Sequence, residues 1–202
     1  MLKFFYLEKY LIFNIFLFYL KKFLKKCLTI FLQVCIIILD IDIGYQYQRK
    51  FKIFKEKFMK KIAIVYWSGT GNTEAMANEI AEELKKNDVE IELLDPNSFT
   101  KDSIDSFDGF AFGCPAMGSE ELEETEFEPM FESIEKDLSN KPVLIFGSYQ
   151  WADGEWMEIW QDRCKEDGIN LVRDGLIAYD SPDDEALSEC RKAALDLSKA
   201  IG

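Results

Sequence analysis

The sequence predicts an α/β fold over residues 59–202: a doubly wound, five-stranded parallel sheet with helices on both faces. Three observations predict it. Strand-length apolar runs alternate with helix-patterned segments at short intervals. The runs are nearly continuously apolar, as in strands buried on both faces. The first run passes into its helix through a glycine-rich turn, as parallel βαβ units do.

Ile62 to Tyr66 is apolar and rich in β-branched residues, which suits a buried first strand. Glu74 to Lys86 follows with Met76, Ala77, Ile80, Ala81 and Leu84 at helical spacing. Val89 to Leu94 reads as a second strand and Phe107 to Cys114 as a third. Glu126 to Leu138 carries Phe127, Met130, Phe131, Ile134 and Leu138 on one helical face. Pro142 to Gly147 is a fourth strand, Gly154 to Asp167 a helix, and Ile169 to Ala178 a fifth strand. The last helix opens at Ser181-Pro182-Asp183-Asp184, with Ser181 expected as N-cap, Pro182 in the first turn and Asp184 closing a capping-box-like pair; it runs to about Ala200.

Residues 1–58 have a different composition. They hold 11 Lys+Arg and 4 Asp+Glu, a net of +7, whereas residues 59–202 hold 13 and 33, a net of −20. The first segment lacks Ala, Ser and Pro and is dominated by Phe, Lys, Ile, Leu and Tyr. Its apolar runs, Tyr10 to Leu20 and Cys27 to Leu39, are each shorter than the ~20 residues of a spanning helix, and Lys21, Lys22, Lys25 and Lys26 separate them. Two readings stand: translation of A/T-rich DNA upstream of a start at Met59, or a membrane-associated segment. Only the second brings a membrane partner.

Composition excludes several chemistries. The chain has no histidine, which removes Ser-His and Cys-His hydrolases and His zinc sites. A net charge of −13 argues against nucleic acid as partner. Cys114, Cys164 and Cys190 form no Cys-x-x-Cys or metal spacing and read as reduced thiols of a cytoplasmic protein.

Ligands of such sheets bind beyond the carboxyl ends of the strands, at the switch in winding direction. The loop after strand one is Ser68-Gly69-Thr70-Gly71-Asn72-Thr73. Its glycines allow close backbone approach, and its hydroxyls, amides and helix N-terminus suit a phosphate. It is not a P-loop, since Gly-Lys-Ser/Thr is missing, nor a dinucleotide turn, since Glu74 takes the third glycine position. A ligand-free tight turn is the alternative on the hexapeptide alone. The loop after strand three holds Ala116-Met117-Gly118-Ser119-Glu120, and that after strand four holds Ser148-Tyr149-Gln150-Trp151-Ala152-Asp153. Singly, Met117 and Trp151 read as packing residues. Beside a phosphate loop on the same sheet edge, they can flank an aromatic ring. A ring with one phosphate and no second nucleotide is FMN.

The match then becomes specific. Val65-Tyr66-Trp67-Ser68-Gly69-Thr70-Gly71-Asn72-Thr73-Glu74, Ala116-Met117-Gly118, Glu126-Phe127-Glu128-Pro129 and Phe146-Gly147-Ser148-Tyr149 with Trp151, Asp153-Gly154 and Trp156-Met157 resemble a flavodoxin of the short-chain clostridial kind. The resemblance implies strand order 2-1-3-4-5 and a monomeric, low-potential one-electron carrier with non-covalent FMN. It implies that Ser68, Gly69, Thr70, Gly71, Asn72 and Thr73 hold the phosphate and that Met117 and Trp151 flank the isoalloxazine. It further implies that Glu120 bonds the pyrimidine end at N3, and that the Gly118 carbonyl turns toward N5 on one-electron reduction. Ala116, Ser119, Ser148, Tyr149, Gln150 and Asp153 complete the cofactor-binding set. Its implied partners are basic-surfaced redox proteins, such as a flavodoxin or ferredoxin reductase or a 2-oxoacid oxidoreductase.

Three residues depart from the pattern. Ser119 stands where Asp is usual and is expected to tolerate a positive φ less well, leaving the one-electron reduced state less stable. Gln150 and Ala152 replace glycines beside Trp151.

Six of the nine residues from Glu120 to Glu128 are Glu. For folding they read as a solvated acidic face. Each charge about 10 Å from a flavin, at an effective dielectric of about 20, adds about 1.7 kcal/mol against a further negative charge. That is roughly 70 mV for one electron. The same charges would steer basic partners. With no histidine and with both ring faces covered, the expected role is electron transfer rather than catalysis. The alternative is a flavodoxin-like FMN-dependent quinone or nitro-compound reductase.

Overall fold

The computed structural model describes residues 59–202, which form one compact unit. The two apolar runs read as a membrane-associated segment lie outside the described residues.

The strands are β1 (Lys61–Tyr66), β2 (Glu90–Leu94), β3 (Gly109–Gly113), β4 (Pro142–Tyr149), β5 (Asn170–Leu171) and β6 (Leu176–Tyr179). The helices are α1 (Asn72–Lys86), α2 (Phe127–Ile134), α3 (Glu155–Glu166) and α4 (Asp184–Ala200). The sheet order is β2-β1-β3-β4-β5, with β6 also paired to β4, and every pairing is parallel.

Period-two alternation sorts the strand side chains into two cores. Ala63, Val65, Phe110, Phe112, Val143 and Ile145 face an aromatic layer with Phe127 and Phe131 of α2 and Trp156 and Trp160 of α3. Ile62, Ile64, Ala111, Leu144 and Phe146 face an aliphatic layer with Met76, Ile80 and Leu84 of α1 and Cys190, Ala194 and Leu197 of α4. Burial on both faces explains the unbroken apolar runs. Because β1 is followed by β2 on one side and by β3 on the other, winding reverses there, and the loops after β1, β3 and β4 gather at one edge.

The structure departs from the sequence reading in three places. The fifth strand is two pieces, β5 and β6. Between them the Gly175 N–H bonds the Gln161 Oε1 at 2.8 Å, and a Cβ at Gly175 would lie 2.3 Å from the Met157 sulfur, so the chain bends where side chains of α3 intrude. The N-cap of α4 is Asp183, not Ser181; its carboxylate accepts the Ala186 N–H at 2.8 Å. α1 begins two residues earlier than its apolar pattern, at Asn72, with Gly71 as its left-handed N-cap at φ 90°.

Candidate functional site

The turn after β1 is shaped mostly by its own residues. Gly71 supplies the positive φ that opens α1, a conformation costly for any residue with a Cβ. The Ser68 hydroxyl accepts the Gly71 N–H at 3.1 Å and the Glu74 N–H at 3.3 Å, closing the loop on itself. Gly69 is needed for space: a Cβ there would stand 2.9 Å from the Trp67 ring. Gly69 and Thr70 are exposed at the tip, whereas Thr73 is buried, with its hydroxyl 3.2 Å from that of buried Ser148 at the end of β4.

The turn after β3 is a tight hairpin. Met117 and Glu121 exchange backbone hydrogen bonds of 3.0 Å in both directions, and Ala116 N–H bonds the Ser148 carbonyl at 2.9 Å. The positive φ values fall at Gly118 (49°) and Glu120 (63°); Ser119 is not among the positive-φ residues. Met117 is half-buried. The Glu120 Oε2 accepts the Trp156 N–H at 2.9 Å, which fixes the carboxylate, while its Oε1 is buried with no hydrogen-bond partner.

The turn after β4 holds three consecutive left-handed residues: Ala152 (51°), Asp153 (51°) and Gly154 (90°). Trp151 precedes them, 43% exposed, a large value for an indole packed on the protein alone. Tyr149 leaves β4 between the rings of Trp156 (centroids 5.6 Å) and Tyr179 (5.5 Å). Gln150 is exposed and donates to Asp180 Oδ1 at 2.6 Å. All sixteen residues expected from the sequence therefore lie in the turns after β1, β3 and β4 or at their strand and helix ends.

The acidic segment corrects the sequence reading of a solvated face. Glu123 is 5% exposed, and its carboxylate accepts the N–H groups of Thr125, Glu126 and Phe127 at 2.9, 2.8 and 3.0 Å, with the Thr125 hydroxyl as a further donor. It thereby satisfies the donors at the start of α2. Burial alone would raise its pKa, but the Thr125 hydroxyl and the three amides outweigh burial and hold it below the ordinary value. Glu128 pairs with Arg163 at 2.6 Å, and the same guanidinium meets Glu135 at 2.7 Å. Glu121 and Glu124 are exposed. Counting Glu120, three of the six glutamates serve the fold or the site geometry. A pattern of charge along the chain carries no sign of which carboxylates turn inward.

The Flavodoxin family model matches residues 64–193. A flavodoxin of Megasphaera elsdenii is 41% identical over 139 residues, covering 69% of this chain and 99% of that protein. A flavodoxin of Clostridium beijerinckii is 42% identical over 127 residues, covering 63% and 91%. The solution structure of the two-electron reduced M. elsdenii protein superposes with a TM-score of 0.62, covering 69% of this chain and 99% of that one.

The chain belongs to the flavodoxin family.

As a flavodoxin it binds FMN and carries electrons. Two features of its own structure fit that cofactor. The unpartnered, buried Glu120 Oε1 is an acceptor waiting for a donor, since such an atom is costly when left alone. The exposed Trp151 ring at the same edge offers a flat apolar face.

The sequence reading missed two residues of this flavodoxin's site edge. Asp180 bonds both Gln150 and Asn72, and Tyr179 lies against Tyr149 while 67% exposed. Their position at the end of the last strand and directly after it, at the carboxyl edge, was the available signal. Cys114, Cys164 and Cys190 are free and buried; burial pushes the thiols of Cys164 and Cys190 up to about 12. Among the described residues no group of His, Cys, Asp and Glu could hold a metal ion, and no helix is long and apolar enough to cross a membrane.

Proposed function

We propose that residues 59–202 form a monomeric, cytoplasmic, low-potential electron carrier and not an enzyme, with basic-surfaced redox proteins such as a flavodoxin reductase or a 2-oxoacid oxidoreductase as its partners. Ser68, Gly69, Thr70, Gly71, Asn72 and Thr73 hold the FMN phosphate. Met117 and Trp151 flank the ring, and Glu120 accepts the ring N3–H. Ala116, Gly118, Ser119, Ser148, Tyr149, Gln150 and Asp153 line its edge. Bound FMN supplies one-electron chemistry.

The observation that carries the reading is Glu120. One carboxylate oxygen is tied to the Trp156 N–H and the other is buried and unpaired, so the acceptor is oriented before any ligand arrives. The glutamates contribute unequally. Glu128 shares the single charge of Arg163 with Glu135, so its field is only partly offset, while Glu121 and Glu124 reach solvent uncompensated by any cation of the β1 turn. They disfavour a further negative charge nearby and present an acidic edge to a basic partner. The chain contains no histidine to serve as a proton shuttle for a substrate.

Anaerobic mixing tests the role. The expected result is that NADPH alone leaves the flavin absorbance unchanged, and that bleaching begins only when flavodoxin reductase is added. Direct bleaching by NADPH overturns the carrier reading in favour of a quinone or nitro-compound reductase.

A further inference from the structure

We propose that Asp180 is a positioning residue, a polar clasp that ties the Trp151 turn to the phosphate turn and so tightens flavin retention. The proposal rests on the FMN site assigned above and adds a residue and a role to it.

Three segments meet at one oxygen. The Asp180 N–H bonds the Tyr149 carbonyl at 2.8 Å, continuing the β4–β6 ladder by one bond, so Asp180 is fixed beside the start of the turn after β4. Its Oδ1 accepts the Gln150 side-chain amide at 2.6 Å and the Asn72 side-chain amide at 3.4 Å. The first contact is short and charge-assisted; the second is long and adds less. Asp180 itself adopts a left-handed conformation, φ 51°, which Asp tolerates better than most residues. The clasp belongs to this chain's own departures: a glycine at position 150 would offer no side-chain donor.

The turn needs such a tie. Ala152, Asp153 and Gly154 are all left-handed, and Ala152 is held there despite its Cβ. A backbone in a sparsely populated region persists only when its surroundings hold it. The Gln150–Asp180 bond holds this turn from outside on the phosphate side.

Electrostatics and the clasp predict opposite signs. A carboxylate bonded to Asn72 opposes a phosphate dianion in the same turn, so on charge alone its removal tightens FMN binding. If the clasp dominates, its removal weakens binding. The test measures dissociation constants of the apoprotein for FMN and for riboflavin by flavin fluorescence quenching. It uses wild type, Asp180→Gly, Asp180→Asn, Gln150→Ala and the Asp180→Gly/Gln150→Ala double variant. Glycine keeps the left-handed backbone without strain, and asparagine keeps the acceptor without the charge.

The expected result is that Asp180→Gly and Gln150→Ala each weaken FMN about threefold to tenfold, the range of one exposed to partly buried hydrogen bond. The double variant is no weaker than the weaker single variant, and Asp180→Asn matches or exceeds wild type. Riboflavin, which lacks the phosphate, weakens by the same factor, because the clasp acts on the ring-side turn. FMN affinity unchanged or improved in Asp180→Gly overturns the clasp, as does full additivity of the two single variants. Should Asp180→Gly not fold, Gln150→Ala alone decides, by loss or retention of affinity. If wild-type apoprotein binds no FMN, the site assignment itself fails, a result distinct from either.

Discussion

The turn after β1 and the turns after β3 and β4 converge on one edge, yet they obtain their shapes in different ways. The first is local. Gly71 supplies the left-handed step, and Ser68 caps two N–H groups within six residues. The others are held from a distance. Glu120 reaches Trp156, 36 positions on. The Cys114 carbonyl accepts the Trp156 indole N–H at 3.3 Å, and Gln150 reaches Asp180, 30 positions on. Positive φ there falls on Glu120, Ala152 and Asp153 as well as on Gly118 and Gly154. A turn shaped mainly by its own residues depends less on the rest of the fold than one held by distant partners, although Thr73 and Asn72 also reach Ser148 and Asp180.

The dependence on distant contacts is greatest where the two ring-side turns leave the sheet. Gly147 in β4 lies against the end of β3: a Cβ there would stand 2.0 Å from the Cys114 carbonyl oxygen and 3.1 Å from the Trp156 ring. That oxygen is backbone and cannot rotate away. Gly147→Ala should therefore destabilise the protein by about 3 kcal/mol or more, measured by denaturant unfolding. A loss near zero would mean that the ring-side turns do not depend on this close approach.

What was legible in the sequence divides along the same line. The strands, the helices and the turn after β1 were readable because apolar periodicity and glycine placement are local signals. The split of the last strand was not, because it depends on Met157 and Gln161 of α3 meeting Gly175. The true cap of α4 sat two residues beyond the expected one, since Asp183 and Ser181 are both good caps and only backbone geometry chooses between them. The role of Glu123 was hidden in a run of like residues. Asp180 was passed over because its partners belong to two other loops.

Glu123 is a local device inside a region otherwise held by distant contacts, and its loss should cost less than the substitution at Gly147. Glu123→Gln leaves one carbonyl oxygen for donors that now share two and brings an NH₂ group against backbone N–H groups. The expected loss is about 2 kcal/mol. The pH dependence has a definite sign. The folded pKa lies below the ordinary glutamate value of 4.5, so the contribution is fully present above that value and is lost as pH falls through the lower folded value. Wild type should lose stability on that acid limb, and Glu123→Gln should lose less. Equal acid limbs in the two proteins would assign the acid sensitivity to other carboxylates.

The smallest expected effects form a pair of opposite sign. Gly71 has φ 90° and open space where a Cβ would stand, its nearest neighbour being a Glu74 oxygen at 3.9 Å, so Gly71→Ala would cost backbone strain and nothing steric. The left-handed penalty for a residue with a Cβ is about 1–2 kcal/mol, offset by up to about 1 kcal/mol because alanine has less unfolded-state entropy to lose. Gly71→Ala should therefore destabilise by about 0.5–1 kcal/mol. Ala152 sits at φ 51° and already bears that penalty, so Ala152→Gly should stabilise by about 0.5 kcal/mol on the same balance. Asp153→Gly serves as the control. Asp is among the residues that tolerate this conformation, and its replacement should change little. The three variants, compared by thermal unfolding of the apoprotein, ask whether strain in the ring-side turn is real and confined to Ala152. If Ala152→Gly destabilises, the turn after β4 is held so firmly by Gln150 and Asp180 that removing the Cβ only adds entropy to the unfolded chain. The contrast between the two kinds of turn would then lie in their anchoring alone, not in their backbone strain.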